Sequence, residues 1–84
     1  MPTISQFYGL LVRMNFRNRE HNPPHIHVFY GDQECTINLL TCTIGDGKLP
    51  PRAAGMAIEW TMKNRDKLLG MWETGTISKL PPLE

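Results

Sequence analysis

The sequence predicts an α+β domain: an antiparallel sheet of three to four strands, packed on one face by a C-terminal helix or helix pair. Three observations predict it. Apolar and polar residues alternate over residues 10–17 and again over 26–30, the period of a half-buried strand. Gly31-Asp32 separates two such runs, which is the two-residue connection of a β-hairpin. Past Pro51 the period lengthens, and Ala53, Ala57, Trp60, Leu68 and Trp72 share one helical stripe.

Taken in order, Leu10, Val12, Met14 and Phe16 alternate with Leu11, Arg13, Asn15 and Arg17. The first strand therefore turns its even-numbered residues inward. Residues 18–24 are polar with two prolines and form a loop. Residues 26–30 form the second strand, again with even numbers inward. The leading glycine of Gly31-Asp32 suits a type II′ turn, and residues 33–39 form the third strand. Setting Tyr30 opposite Gln33 pairs Val28 with Cys35, His27 with Thr36, Ile26 with Ile37 and His25 with Asn38. Apolar residues then meet on one face and polar residues on the other.

Residues 41–47 hold a short fourth strand ending at Asp46-Gly47, and Lys48-Leu49-Pro50-Pro51 leads into the helix with Pro51 in its first turn. Met56, Leu69 and Met71 flank the helical stripe. Asn64-Arg65-Asp66 either re-caps a second helix or lies exposed on a continuous one. Gly75 ends the helical signal. The chain thus reads as one domain over residues 1–84, with a sheet region (1–47), a helical region (48–75) and a proline-containing tail (76–84). Ile77, Leu80 and Leu83 make that tail too apolar to be solvated, so it returns to the sheet edge or docks on a partner.

Composition narrows the class. A chain of 84 residues is one small domain that buries roughly 60–65% of its unfolded surface. With 40% apolar residues and a mean hydropathy of −0.32 it reads as globular and soluble. No apolar run approaches the ~20 residues of a membrane span, and no signal-like segment opens the chain. A cytoplasmic location follows by default. The net charge of +1 gives no general pull towards nucleic acid, so such binding requires a local patch. Cys35 and Cys42 read as free thiols, with no C-x-x-C pair for zinc and no cofactor implied.

The local patch is legible. All three histidines fall in Glu20-His21-Asn22-Pro23-Pro24-His25-Ile26-His27-Val28. His25 and His27 point to one face of the strand, opposite Ile26 and Val28. Arg13 and Arg17 lie on the same face of the first strand, and antiparallel pairing makes Arg17 a neighbour of His25. Arg19 and His21 lie in the loop between. Arginine clamps phosphate oxygens, and histidine transfers protons near neutral pH. His25 and His27, with His21, are therefore candidate catalytic residues of a metal-independent ribonuclease, with Arg13, Arg17 and Arg19 on phosphate and Tyr8 or Tyr30 assisting.

Two other readings stand beside it. His21, His25 and His27 have the spacing of a metal site, with Glu20 as an oxygen ligand, although the arginines oppose a cation. Alternatively the histidines are sheet residues bonded to Asn38 and Thr36, and the protein is a non-catalytic binding module. In that case Trp72, Leu80 and Leu83 are the candidate partner-binding residues. A thin core also favours a homodimer or a tight protein partner.

The ordered set Pro2-Thr3-Ile4, Phe7-Tyr8-Gly9, Arg13-Met14, His21 through Val28, Tyr30-Gly31, Gly47-Lys48-Leu49-Pro50, Trp60 and Lys79-Leu80-Pro81-Pro82-Leu83 resembles the domain-of-unknown-function family numbered 4160. The resemblance implies a small prokaryotic protein, often encoded beside a second short protein of the family numbered 2442. It thus implies a toxin–antitoxin context and a cognate small protein as partner, without naming a chemistry. Cys42-Thr43-Ile44 departs from relatives that are more acidic there. The expectation is a component of a toxin–antitoxin-like module whose His/Arg sheet face binds or cleaves RNA.

Overall fold

The computed structural model describes residues 1–15 and 22–84. Strands β1 (Thr3–Phe7), β2 (Leu10–Arg13), β3 (His25–Tyr30), β4 (Gln33–Asn38) and β5 (Thr43–Gly47) precede one helix, α1 (Pro51–Thr74). The strands form a single antiparallel sheet in sequence order. The α+β class holds, with five strands in place of three to four, and of the two helical alternatives the single helix is the one observed.

The central hairpin has the expected register. His25, Ile26, His27, Val28 and Tyr30 stand opposite Asn38, Ile37, Thr36, Cys35 and Gln33. Gly31 has a φ of 58°, as the first turn position of type II′ requires. Leu10, Val12, Met14, Ile26 and Val28 are fully buried, and Cys35 and Ile37 join them from β4. Against them pack Ala57, Trp60, Leu68 and Trp72 of α1. Burial of each large side chain contributes about 1.5–3 kcal/mol. Burial also raises the pKa of the Cys35 thiol. Its neutral form is favoured on folding, so its contribution is full below the ordinary thiol pKa and is lost as pH rises through the raised one.

The added strand is β1, and two local features hid it. Its turn to β2 is Tyr8-Gly9, with φ of 47° and 82°, so a tyrosine occupies a left-handed position that asparagine or glycine normally fills. The pairing also shifts between Thr3 and Ser5, and Ile4, Ser5 and Phe7 are all buried. A bulge of that kind breaks the period of two on which sequence reading depends.

The helix stays continuous because Asn64 does not re-cap it. Its side-chain amide donates to the Trp60 carbonyl one turn back, at 2.9 Å. Arg65 Nε donates to the Leu39 carbonyl at 2.9 Å and Nη2 to that of Leu40 at 3.3 Å, tying mid-helix to the end of β4. Pro51 opens α1, and Gly75, with φ of 75°, closes it by donating to the Met71 carbonyl. The tail then returns to the sheet edge. The Leu80 amide donates to the Ile4 carbonyl at 2.9 Å, and Trp60 Nε1 donates to that of Pro81 at 2.9 Å.

β5 depends on one glycine. Gly47 has a φ of 79°, and a Cβ there would run into the Glu34 carbonyl oxygen and come within 3.0 Å of the Cys35 Cα. Gly47→Ala is expected to cost about 1–3 kcal/mol from the backbone alone, and more from the clash. Chemical denaturation measures the loss. Amide exchange at Asp46 should accelerate with it as β5 detaches.

Candidate functional site

β3 starts immediately after Pro23-Pro24 and carries His25 and His27 on the face opposite Ile26 and Val28, which fill the core. The two imidazole rings are 5.2 Å apart. They border a depression of about 430 Å³ lined also by Asn22, Pro23, Thr36, Asn38, Gly45 and Asp46. Each histidine has a polar residue directly across the ladder, Asn38 for His25 and Thr36 for His27.

Hydrogen bonds at the edges of the depression fix what its side chains present. His25 Nδ1 lies 2.8 Å from the Pro23 carbonyl oxygen. A carbonyl only accepts, so Nδ1 carries the hydrogen and the neutral ring holds its basic lone pair on Nε2. Asn38 Oδ1 accepts from the amides of Leu40, at 2.8 Å, and Thr41, at 3.3 Å. The other end of that side chain is therefore the donating amide. Thr36 Oγ1 accepts from the Asp46 amide at 2.9 Å, which leaves its own hydroxyl hydrogen to donate. A Cβ on Gly45 would lie 3.0 Å from that oxygen, so the missing side chain keeps this wall open.

Arg13, at the end of β2, stands opposite His27. Its guanidinium carbon lies 5.7 Å from the centre of the Phe29 ring. Its Nε is buried and has no hydrogen-bond acceptor among the described residues. On the other side of the site, the Trp72 ring is 5.2 Å from that of His25, so the last turns of α1 brace the first histidine.

The structure thus brings together three of the predicted site residues, His25, His27 and Arg13. The expected pairing of Arg17 with His25, the roles given to Arg19 and His21, and the Glu20 ligand all fall outside the described residues. Tyr8 and Tyr30 do not assist at the histidines. They line a separate cavity of about 710 Å³ with Arg52 and Met56; Tyr30 and His25 close opposite ends of β3. Trp72 and Leu83, expected on a partner surface, are 2% and 9% exposed within the chain's own core, and Leu80 packs half-buried against it. The tail has its partner in β1.

Among the described residues, no group of three or more His, Cys, Asp or Glu side chains is placed to hold a metal ion. No helix among them is long and apolar enough to cross a membrane. Sequence reading set Gly45 and Asp46 in the short fourth strand without giving them a place at the site. The signal that locates them is the pairing of Ile37 with Ile44, which carries β5 alongside Thr36.

Residues 9–73 match the model of a family described as Domain of unknown function (DUF4160). The chain belongs to this family. The DUF4160 match runs from the β1–β2 turn almost to the end of α1 and takes in the described site residues from Arg13 to Asp46. It leaves out β1 and the tail, the two segments that close the sheet edge. No curated protein and no solved structure gives a match to the chain.

Proposed function

We propose that this protein is one member of a toxin–antitoxin-like pair and that its His/Arg sheet face binds RNA and cleaves it without metal. One observation carries the reading. Two histidines 5.2 Å apart share a depression with side chains whose other hydrogen bonds leave donors for an anion. A phosphate there can accept from Asn38 and Thr36 while the two adjacent imidazoles border it, within the ~2.6–3.2 Å that proton transfer needs.

In the proposed reaction His25 Nε2 takes the proton of a ribose 2′-hydroxyl. The 2′-oxygen bonds to phosphorus, and the bond from phosphorus to the 5′-oxygen breaks. His27, protonated, gives its proton to that leaving oxygen. The products are a 2′,3′-cyclic phosphate and a 5′-hydroxyl end, and the net proton movement is from one histidine to the other. Asn38 and Thr36 stabilise the charge that builds on the phosphoryl oxygens, and Arg13, across His27 on β2, attracts the neighbouring phosphate. The family resemblance supplies the context, in which a cognate small protein of the family numbered 2442 neutralises the activity.

The test is growth of a bacterial host on induced expression of the wild type and of the His25→Ala/His27→Ala double variant, each with and without the cognate protein. Arrest is expected for the wild type alone. Equal growth of all strains at equal soluble yield would contradict the reading and leave a binding role.

A further inference from the structure

β3 carries a third ring on the same face as its histidines. Phe29 follows His27 by two residues, so it stands about 6.5–7 Å further along the strand, the same step that separates His27 from His25. It is not a core residue: Ile26 and Val28 supply the buried face of β3, and Phe29 is half-buried on the other. Leu11 lies directly across from it on β2 and exposed Glu34 on β4. The Arg13 guanidinium leans over its ring at 5.7 Å. An alternating strand would ordinarily place a polar residue here, and the helix lies on the opposite face of the sheet.

We propose that the RNA is bound as a single strand, with one base stacked on the Phe29–Arg13 pair beside the phosphate held at His25 and His27. This rests on the phosphate-site reading above and adds the substrate class to it. Aromatic rings on an open sheet, flanked by arginine, are the arrangement by which proteins take unpaired bases, because every base has a face to stack. A double helix keeps those faces inside and offers none to a sheet. Charge sets the direction of the strand. Arg13 and the two histidines draw the sugar–phosphate chain along their side of β3, while the base covers Phe29.

The test uses a short labelled RNA with 2′-O-methyl riboses, which cannot be cleaved, together with the same strand annealed to its complement and ribose 5-phosphate. The wild type is expected to bind the single strand more tightly than the duplex. Phe29→Leu should weaken single-strand binding by about 5- to 150-fold, the range of one base–aromatic stack. It should leave ribose 5-phosphate binding unchanged, and Phe29→Tyr should bind as wild type. Equal binding of strand and duplex overturns the inference, as does an unaltered Phe29→Leu affinity or a Phe29→Leu defect confined to the cognate protein. In each of these cases ribose 5-phosphate binding that His25→Ala/His27→Ala removes keeps the phosphate reading. Failure of the wild type to bind either RNA or ribose 5-phosphate ends both readings. If Phe29→Leu does not fold, a 4-thiouridine strand photocrosslinked to the wild type decides: attachment at Phe29 supports the inference, and attachment only elsewhere overturns it.

Discussion

His25→Ala and His27→Ala each lower RNA cleavage by roughly 10²–10⁴-fold, the usual contribution of a positioned acid or base. The double variant is little slower than the worse single one, because the two rings act in one proton-transfer cycle and their losses do not add. Binding of uncleavable RNA falls far less, since the base stack on Phe29 and Arg13 remains. His25→Gln is an informative companion. Its side-chain amide can still donate to the Pro23 carbonyl but cannot take up a proton, so the variant separates holding the loop from catalysis.

The largest expected loss of stability comes from Trp60→Ala. Trp60 is 1% exposed and lies 5.7 Å from the Phe7 ring, and its Nε1–H is donated to the Pro81 carbonyl. Truncation removes the packing between α1 and β1 together with the donor that holds the tail. The cost is about 3–5 kcal/mol, against a total stability on the order of 5–15 kcal/mol for domains of this kind. The thermal midpoint should fall by about 15–30 °C. The tail, held to Ile4 by one hydrogen bond from the Leu80 amide, should become cleavable by protease well below that midpoint. Trp60→Phe should restore most of the packing and leave the Pro81 carbonyl without its donor, so the two variants apportion the effect.

The parts of the fold that were legible are those in which one interaction decides the geometry. Gly31-Asp32 fixed the β3–β4 register because a two-residue turn allows few pairings and only one sorted Ile26, Val28, Cys35 and Ile37 together. β1 was not legible because its signals are exceptions to the rules used to read it, namely Tyr8 at a positive φ and a bulge between Thr3 and Ser5. The continuity of α1 turned on Asn64 and Arg65, whose partners lie at Trp60, Leu39 and Leu40. The last two contacts are tertiary, and no local pattern specifies them.

The site was half legible for a similar reason. His25, His27 and Arg13 share a face by strand parity alone, which sequence states directly. Thr36 and Asn38 followed from the hairpin register, although their role as donors depends on bonds to the Asp46, Leu40 and Thr41 amides. Gly45 and Asp46 required β5 to pair with β4, and Phe29 required knowing that no helix among the described residues covers its side of the sheet. Trp72 lies in the core as its place on the helical stripe implied, and Leu83 was open because an apolar residue in a tail reads alike whether it meets its own core or another protein.

The central claim is that the His25–His27 face holds phosphate, and a side-chain NMR titration of the wild type with inorganic phosphate tests it most directly. Saturable shifts are expected for the His25 and His27 ring signals, the Asn38 side-chain amide and the Thr36 resonances, with Tyr8 and Tyr30 in the other cavity unmoved. Shifts confined to Tyr8, Tyr30 and Arg52, or no saturable shift at the histidines, would contradict it.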